Sequence, residues 1–412
     1  MPVVKFSELD NLLDYFDKGY KTSHDEAYRR FSESHLAPPD DLPSDPFSEE
    51  YAARYLDLYK KISSRAAYSS QNERSEFNVD ELTFRPFPYF TRSLKLAAQH
   101  YTLIGKLLEI MELKESSSVL EFGFGWGNTT LALAMLGHDV TAVDIEQRYC
   151  ELVRRRAEML HVDNITIINS DYLWVETTDQ KFDAVFFFES FHHCWEFKRL
   201  LRALHRVLRP GGKIYFGAEP INKDFTVPWG VRLDGESLWV ARRAGWMELG
   251  FHSDFFEELL RRTGWWGRCV HPHFWVATAR GDPIVISATD PRLMSMAGTK
   301  EGGLLQIKAP GDPGSHHYAL YGPYLDLPKG NYRAELEMAV SVPNADGVTI
   351  DVCCGRGQVV LNSRPCTVEE ISGGLIRIEF SVTQRFDDLE IRLLVPGGFS
   401  GTVKQLSLLM LD

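Results

Sequence analysis

Cysteine is scarce in this chain. Its 412 residues include six cysteines, and no two of them form a CxxC pair. Six thiols are too few to hold a chain of this length together as a disulfide framework. The pattern therefore excludes the small, secreted, disulfide-rich class of protein and predicts free thiols in a cytoplasmic protein.

The chain also has no excess of positive charge and no long apolar run. Lysine and arginine number 45 against 57 aspartates and glutamates, which leaves a net charge of −12. This balance argues against a protein that holds nucleic acid or an anionic membrane through bulk positive charge, so no nucleic-acid partner is expected. No apolar run approaches the ~18 residues that indicate a transmembrane helix. Acidic residues interrupt MPVVKFSELDNLLDYF where a signal peptide needs an apolar stretch.

The remaining composition is that of an ordinary globular protein. Apolar residues make up 44% of the chain and charged residues 25%, close to the average for such proteins. At about 150 residues per domain, the length predicts two or three domains. Three blocks of different character follow one another, at residues 1–115, 116–280 and 281–412.

The first block is helical in pattern. FSELDNLLDYF and EEYAARYLDLYKKI repeat apolar residues at three- and four-residue spacing, which is typical of amphipathic helices. Between them, HLAPPDDLPSDPF holds four prolines and predicts a turn-rich connector. A further helix is predicted at about residues 91–113. Residues 65–85 mix polar and aromatic side chains and are a candidate lid over the cleft of the following block.

The second block alternates strand and helix. Strands are predicted at SVLEF, DVTAVDI, NITIINSD, KFDAVFFFES and KIYFGAEP, with helices at TTLALAMLG, EQRYCELVRRRAEML and EFKRLLRALHRVL. A helix at DFFEELLRR and closing strands at WGRCVHP and HFWVATAR are expected to complete the block. Repeated units of this kind predict an α/β domain in which right-handed crossovers join a parallel sheet.

The third block loses the helical periodicity. Strand-like runs such as YRAELEMAVSV, LIRIEFSV and VKQLSLLML alternate with turns rich in glycine, proline, asparagine and aspartate. Spacing of this kind predicts an antiparallel β-sandwich. Residues 318–333 resemble the YGPY-x-LP-x-G-x-Y segment of jelly-roll-like domains attached to bacterial glycan-modifying enzymes. That resemblance implies a glycan context, while the tyrosines themselves are either sugar-stacking or structural aromatics.

The strongest motif joins a strand to a helix in the second block. Glycines at 123, 125 and 127 allow a tight turn and let a ligand approach the backbone without a Cβ in the way. Asp144 ends the next strand, 21 residues after Gly123, where a carboxylate can accept both ribose hydroxyls of a nucleoside. The G-x-G-x-x-G spacing of NAD-type loops is absent, because the third glycine follows the second by two residues.

The loop VLEFGFGWGN, together with Asp144, Asp171 and RPGGKIYF, resembles the cofactor-binding motifs of class I S-adenosylmethionine-dependent methyltransferases. The resemblance covers about residues 116–280 and implies a Rossmann-like fold that binds S-adenosylmethionine and releases S-adenosylhomocysteine. It implies that Asp144 holds the ribose, that Asp171 bonds to the adenine amine and that Glu121 helps to place the amino group. The cofactor-binding residues that it implies are Glu121, Gly123, Phe124, Gly125, Gly127, Asn128, Asp144, Ile145, Asp171, Tyr172 and Glu189.

Catalytic groups are expected at the carboxyl ends of the strands, where open α/β sheets bind their ligands. His192 and His193 follow the fourth strand, and an imidazole titrates near neutral pH, so either is a candidate general base for a hydroxyl acceptor. The pair can instead shape the cofactor pocket or cap the next helix. Glu219, at the end of the fifth strand, is a second candidate. No metal is expected, because adjacent histidines do not easily converge on one ion, although magnesium held by carboxylates stays open.

The insertion at residues 222–250 combines tryptophans with charged residues. This mixture suits a sugar ring, with carboxylates and arginine for the hydroxyls and indole faces for the C–H surfaces. The candidate substrate-binding residues are Glu219, Trp229, Arg232, Asp234 and Glu236. An ordinary packed lid with surface charges is the alternative.

Three functions fit the sequence. The first is a methyltransferase that O-methylates a sugar hydroxyl of a nucleotide-sugar or a bacterial surface polysaccharide. The second keeps the enzyme but makes the acceptor a natural-product small molecule, methylated at oxygen or nitrogen. The third is a glycan-binding or assembly protein that uses the nucleotide fold as a scaffold. The intact glycine loop with Asp144 favours catalysis, and the oligomeric state, including a homo-oligomer, stays open.

Overall fold

The computed structural model of the protein describes residues 3–33, 35–39, 41–85, 93–312, 314–327, 329–340, 347–384 and 386–411. The chain divides into two units, residues 1–277 and 278–412. The N-terminal helical block is therefore part of the same unit as the α/β block. Within the described segments, no helix combines the length and the apolar character that a membrane span requires.

The first unit contains ten α-helices and twelve strands among its described residues. In chain order the helices are α1 (Leu9–Thr22), α2 (His24–Phe31), α3 (Glu49–Ser63), α4 (Val79–Thr83), α5 (Leu94–Met111), α6 (Asn128–Met135), α7 (Gln147–Met159), α8 (Phe197–Ala203), α9 (Gly235–Arg243) and α10 (Ser253–Arg262). The strands are β1 (Val3–Val4), β2 (His35–Leu36), β3 (Ser118–Phe122), β4 (Asp139–Asp144), β5 (Ile165–Asn169), β6 (Phe182–Phe188), β7 (Leu208–Gly217), β8 (Ile221–Asn222), β9 (Trp229–Val231), β10 (Leu249–His252), β11 (Trp265–His271) and β12 (Phe274–Ala279).

Seven of these strands form one sheet, in the order β11-β12-β7-β6-β3-β4-β5. β3 pairs in parallel with both β4 and β6, and the pairs β4–β5 and β6–β7 are parallel as well. The chain progresses outward from β3 first in one direction and then in the other, so a crevice opens at the carboxyl ends of β3 and β6. The structure confirms the predicted Rossmann-like α/β fold.

Burial of apolar side chains on the central strands stabilises this sheet. Val119, Phe122, Phe186 and Phe187 are completely buried, and each such side chain contributes about 1.5 to 3 kcal/mol through its removal from water. Leu107 of α5 is buried in the cluster that covers one face. The packing fixes the strand ends, and with them the loops that carry the polar residues of the second block.

Several element boundaries differ from the predicted ones. The helix expected at residues 91–113 is α5, which begins after Ser93, whose hydroxyl accepts a hydrogen bond from the Leu96 amide; residues 91 and 92 lie outside the described part. α8 ends at Ala203 and continues as a 3₁₀ turn, while the RPGG sequence lies inside β7 rather than in a turn before it. α2, α4 and α9 were missed, because each is short and mixes polar with apolar residues.

The helical block contacts the insertion through a stripe of tyrosines. Tyr51, Tyr55 and Tyr59 recur at four-residue spacing on α3 and are buried. The Tyr51 hydroxyl donates to the carbonyl of Trp229, and the Tyr59 hydroxyl donates to that of Gly245, at 2.9 and 2.6 Å. Since buried hydroxyls need hydrogen-bond partners, these two contacts anchor the insertion to α3.

The second unit is built from two antiparallel sheets. Its strands are β13 (Ile284–Ser287), β14 (Gly298–Glu301), β15 (Leu304–Lys308), β16 (His316–Leu320), β17 (Pro323–Leu327), β18 (Gly330–Val340), β19 (Thr349–Cys354), β20 (Val359–Pro365), β21 (Leu375–Val382), β22 (Phe386–Pro396) and β23 (Ser400–Leu411). One sheet has the order β14-β15-β23-β18-β21, with β13 on β23; the other has the order β16-β22-β19-β20, with β17 on β22.

Alternating burial along β21 shows that this strand packs one face against the core, as the sequence predicts for this block. One short helix, α11 (Val368–Gly373), was missed; the side chain of Thr367 and that of Glu370 form its capping box. Tyr332 is fully buried and stacks on Phe380, so this tyrosine of the YGPY-type segment is structural. Tyr324 is exposed.

Candidate active site

A cavity of about 670 Å³ lies in the first unit at the ends of the central strands. The loop after β3, the end of β4 and the residues that follow β5 and β6 form one side of it. His100 of α5 and several of residues 67–75 line it as well. Part of the candidate lid at residues 65–85 therefore forms a wall of this cavity.

The three glycines of the loop serve different purposes. Gly123 and Gly125 line the cavity, and both have positive φ, at 66° and 47°. A Cβ on Gly123 would lie 2.6 Å from Cβ of Ser190, whereas a Cβ on Gly125 would meet no protein atom within 4 Å. Gly125 therefore leaves open space at the cavity surface, where the backbone can approach a ligand.

Gly127, which the resemblance implies as a cofactor-binding residue, does not line the described cavity. Its φ is +70°, and a Cβ there would lie 2.4 Å from Cγ2 of Val153 on α7. The third glycine of the motif is thus required by the packing of the loop against α7. Asn128, the first residue of α6, does line the cavity, and its side-chain oxygen accepts a 3.0 Å hydrogen bond from Arg156.

Asp144 presents its carboxylate at the end of β4. Oδ2 accepts a hydrogen bond from the Gly125 amide at 3.0 Å, and Oδ1 accepts one from the Glu146 amide at 2.8 Å. Burial raises the pKa of Asp144 to about 6 in spite of these two bonds. Asp144 and its neighbour Ile145 both line the cavity, in a position that suits two adjacent ribose hydroxyls.

Glu121 lies beneath the loop. Its two carboxylate oxygens accept hydrogen bonds from the hydroxyls of Thr129 and Thr130 at the start of α6. Burial raises the pKa of Glu121 to about 7. Glu121 lines the cavity with Phe124, and the resemblance puts the amino-acid end of the cofactor at this residue.

The adenine side of the predicted site also lies at the cavity. Asp171 caps a 3₁₀ turn at Tyr172–Glu176 by accepting from the Leu173 amide at 3.0 Å, and it lines the cavity as well. The Tyr172 hydroxyl donates to the Ser190 carbonyl at 2.7 Å. Glu189 has a positive φ of 51° and brings its carboxylate to 3.4 Å from Nδ1 of His100. No motif in the sequence pointed to His100, because it lies on α5, outside the α/β block.

His192 and His193 diverge in role. His193 lines the cavity, whereas His192 is buried behind it. Nδ1 of His193 lies 2.9 Å from the Met247 carbonyl, 3.4 Å from Oε2 of Glu73 and 4.0 Å from Oε1 of Glu248. Burial alone lowers the pKa of His193, but the Glu248 and Glu73 carboxylates outweigh it and raise the value to about 9. Of the two predicted bases, only His193 has access to a ligand in the cavity.

Glu219 is not placed to bind a substrate. Its carboxylate accepts hydrogen bonds from the amides of Ser190 and Phe191, both at 2.8 Å, and lies 2.8 Å from Nδ1 of His192. Only 1% of the residue is exposed. Glu219 therefore holds the turn after β6 in position and orients His192, which corrects its assignment as a substrate-binding residue.

The other predicted substrate residues also lie away from the lining of the described cavity. Trp229 is 1% exposed, its indole nitrogen donates to the Pro46 carbonyl at 2.7 Å, and its ring packs beside Tyr51 and Tyr55. Since its faces are covered, it cannot stack on a sugar. Asp234 caps α9, Arg232 bonds to Asp234 at 3.0 Å, and Glu236 lies in the first turn of that helix.

Aromatic and polar residues other than the predicted substrate residues line the cavity. Trp195 follows the histidine pair, and Trp246 follows α9; both line the cavity, with Tyr68, Lys60 and Glu196. The ring of Trp246 lies edge-on to that of His193, with centroids 5.6 Å apart. The tryptophan-rich composition of the insertion was the available signal, but it could not show which indole faces outward.

Comparison with known proteins agrees with this geometry. Residues 119–212 match the family described as "Methyltransferase domain". The S-adenosyl-L-methionine-dependent Diels-Alderase iccD of Talaromyces variabilis is 33% identical over 180 residues, which are 40% of this chain and 56% of that protein. The 27-O-demethylrifamycin SV methyltransferase of Amycolatopsis mediterranei is 29% identical over 141 residues, 33% of this chain and 50% of that protein.

Among solved structures, an S-adenosylmethionine-dependent methyltransferase from Aquifex aeolicus matches with a TM-score of 0.36 at 17% identity, over 50% of this chain and 98% of its own. The 1,6-didemethyltoxoflavin-N1-methyltransferase of Burkholderia thailandensis, with bound S-adenosylhomocysteine, matches with a TM-score of 0.34 at 20% identity, over 59% of this chain and 93% of its own. The chain spans about half the length of the two curated relatives, 50% and 56%. The loop, the strand order and the family match identify residues 119–212 as part of a Rossmann-like, S-adenosylmethionine-dependent methyltransferase domain.

Proposed function

We propose that this protein is a cytoplasmic methyltransferase that O-methylates a hydroxyl of a sugar-like acceptor, either a nucleotide-sugar or a bacterial surface polysaccharide. One observation carries the proposal. A single cavity contains a nucleoside-type site, formed by Gly125 and Asp144, and a histidine–carboxylate pair, formed by His193 and Glu73. Methyl transfer to a hydroxyl needs both a bound cofactor and a proton acceptor.

The chain supplies positioning and proton transfer. S-adenosylmethionine, when bound, supplies an electrophilic methyl group. Because the Glu248 and Glu73 carboxylates raise the pKa of His193 to about 9, the neutral ring that acts as the base becomes the main form only as the pH rises past that value. In this form Nδ1 donates to the Met247 carbonyl at 2.9 Å, which leaves Nε2 as an acceptor for the proton of the hydroxyl. Glu73, 3.4 Å from Nδ1, stabilises the imidazolium that results. Tyr68 donates to the His193 carbonyl at 3.2 Å and holds this turn in place.

The lining of the cavity favours a sugar-like acceptor. Trp195 and Trp246 provide aromatic surface beside His193, and Ser69, Ser70 and Glu196 provide hydroxyl and carboxylate groups. Aromatic faces pack against the C–H surfaces of a pyranose, and polar groups at their edges bind its hydroxyls.

A natural-product acceptor is the second candidate. It is favoured by the similarity to the rifamycin methyltransferase, 29% identical over 141 residues. The aromatic surface of Trp195 and Trp246 also suits a flat hydroxylated aromatic compound.

The deciding experiment is a methyl-transfer screen with isotopically labelled S-adenosylmethionine, read by mass spectrometry. The panel contains nucleotide-sugars, purified surface glycans, and hydroxylated natural products. The proposal predicts a labelled O-methyl sugar, and it predicts that His193→Ala lowers kcat by about 10²–10⁴-fold with unchanged affinity for S-adenosylhomocysteine. His271→Ala, at an exposed site on β11, is the matched control. Product only among natural products, or full activity of His193→Ala, would contradict the proposal.

A further inference from the structure

Two histidines and a glutamate converge at the wall of the cavity. His192 and His193 lie on the 3₁₀ turn after β6, and Glu248 immediately precedes β10. Nε2 of His192 lies 3.7 Å from Oε2 of Glu248, and one potential ligand atom from each of the three residues lies within 4.8 Å of the others. Adjacent histidines are expected to diverge, but the tight turn brings their ring centroids to 4.2 Å.

The tautomer of His192 is set by Glu219. The Glu219 carboxylate is held by the amides of residues 190–192 and lies 2.8 Å from Nδ1 of His192. A carboxylate accepts hydrogen bonds, so Nδ1 carries the ring proton and Nε2 carries a lone pair. That lone pair faces Oε2 of Glu248 at a distance too long for a hydrogen bond. Two acceptors that face each other in this way are stabilised by a cation between them.

The surroundings add negative charge. Glu73 and Glu248 are each 9% exposed at their side chains, and Glu219 is 1% exposed. Arg232 lies 3.4 Å from Oε2 of Glu248 and balances one of these carboxylates. Glu219 contacts Nδ1 of His192 and leaves Nε2 available. In many metal sites a carboxylate outside the ligand set orients a metal-binding imidazole in the same way.

We propose that Nε2 of His192, Nδ1 of His193 and the carboxylate of Glu248 bind one divalent transition-metal ion, with Zn²⁺ as its representative. Two imidazoles and one carboxylate suit Zn²⁺, Co²⁺ or Ni²⁺ better than Mg²⁺, which prefers oxygen ligands. Bonds of about 2.0–2.2 Å to a tetrahedral ion require ligand atoms about 3.3 Å apart. Nε2 of His192 lies 3.7 Å from Oε2 of Glu248, and Nδ1 of His193 lies 4.0 Å from Oε1, so each of these two pairs needs a closure of under about 1 Å.

The ion has a consequence for the proposed proton transfer. Coordination by Nδ1 of His193 breaks the hydrogen bond to the Met247 carbonyl, and the ring proton then resides on Nε2. An imidazolium would first release one proton to solvent. With Nε2 protonated, His193 no longer accepts the proton of a hydroxyl, so the bound ion inhibits methyl transfer. This consequence rests on the proposed function, whereas the binding of the ion does not.

The test is a metal titration of the full-length protein after dialysis against a chelator. Zn²⁺ affinity is measured by competition with a chromophoric chelator, and Co²⁺ binding by its visible absorption. We expect one ion per chain, and a loss of affinity of about 100-fold or more in His192→Ala and in Glu248→Gln. Glu219→Gln is expected to weaken binding by about 10–100-fold. His271→Ala is the control variant and should bind Zn²⁺ as the wild type does. Mg²⁺ is the control ion and should not compete with Zn²⁺ for the site.

Retained affinity for S-adenosylhomocysteine shows that each variant is folded, and His192→Gln replaces His192→Ala if the latter fails that check. The site would be overturned if the wild type did not bind Zn²⁺. It would also be overturned if His192→Ala and Glu248→Gln bound Zn²⁺ as tightly as the wild type. If Zn²⁺ binds as expected and methyl transfer continues at full rate, the metal site stands and the role of His193 as proton acceptor is overturned instead.

Discussion

The backbone amide of Gly125 donates a 3.0 Å hydrogen bond to Oδ2 of Asp144 and so ties the loop after β3 to the end of β4. The other oxygen of the carboxylate is held at 2.8 Å by the Glu146 amide. Two amides therefore orient the carboxylate before any ligand arrives. A preorganised group of this kind loses little conformational freedom on binding, which favours the ribose contact that we propose for Asp144.

The first prediction concerns the charge of this group. Asp144→Asn keeps the shape of the side chain but removes its charge, and a hydrogen bond to a charged group contributes about 1.5–3 kcal/mol. We expect the affinity for S-adenosylhomocysteine to fall by about 10–100-fold in calorimetry. Asp139→Asn, at the exposed first residue of the same strand, is the control and should bind as the wild type does. Equal affinities of Asp144→Asn and wild type would rule out Asp144 as the ribose-binding residue.

The second prediction follows from the raised pKa of Asp144. Burial raises this pKa to about 6, and the ionised form is the better acceptor for ribose hydroxyls. Affinity for S-adenosylhomocysteine should therefore rise as the pH increases through about 6 and level off above it. The measurement is calorimetry between about pH 5 and about pH 8.

Glu121, whose pKa burial raises to about 7, titrates in the same range. Glu121→Gln is therefore measured beside Asp144→Asn. The step near pH 6 should persist in Glu121→Gln and disappear in Asp144→Asn. A step that persists in Asp144→Asn belongs to another group.

The third prediction separates two glycines of the same loop. Gly127→Ala places a Cβ 2.4 Å from Val153, so we expect a loss of unfolding free energy of about 1–3 kcal/mol, seen as a lower Tm. Val153→Ala in the same chain should recover part of it. Gly125→Ala meets no protein atom within 4 Å, so it should lose cofactor affinity with a smaller change in Tm. A larger loss of affinity in Gly127→Ala than in Gly125→Ala, at equal folded fraction, would contradict this division.

The fourth prediction separates two tryptophans of the insertion. Trp229 is buried among the α3 tyrosines, and its replacement by alanine should cost about 3–5 kcal/mol of stability. Trp246 lines the cavity, so Trp246→Ala should raise the KM for the acceptor several-fold while the Tm stays within a few degrees of wild type. Thermal unfolding and steady-state kinetics on both variants check the pair. The reverse outcome would restore Trp229 as the sugar-stacking residue.

The fifth prediction concerns the second unit. Every residue that lines the described cavity belongs to the first unit. A chain that ends at Arg280 keeps β12 intact and should bind S-adenosylhomocysteine within about twofold of the full chain. If the second unit binds glycan, this shortened chain should lose activity on a polysaccharide but keep it on a nucleotide-sugar. Equal use of both acceptors would assign the second unit a structural or assembly role.

Much of the fold followed from local patterns. Apolar runs flanked by turn residues placed β3, β4 and β6 to within a few residues, because a strand covered on both faces must be apolar along its whole length. Gly125 and Asp144 could be singled out because a tight loop and a strand-end carboxylate are local requirements of the chain. The short helices α2 and α9 escaped, since each depends on contacts with other elements for its stability.

By itself the sequence determined the α/β order of the first unit, the loop after β3 and the carboxylate at the end of β4. Only the tertiary structure decided that Val153 requires Gly127, that Tyr51 and Tyr55 cover Trp229, and that Glu219 and Glu248 lie on either side of His192. The reason is physical. Periodicity reports which residues are apolar and where the chain turns, but the neighbours of a side chain depend on how distant elements pack, and packing distances are not written in local spacing.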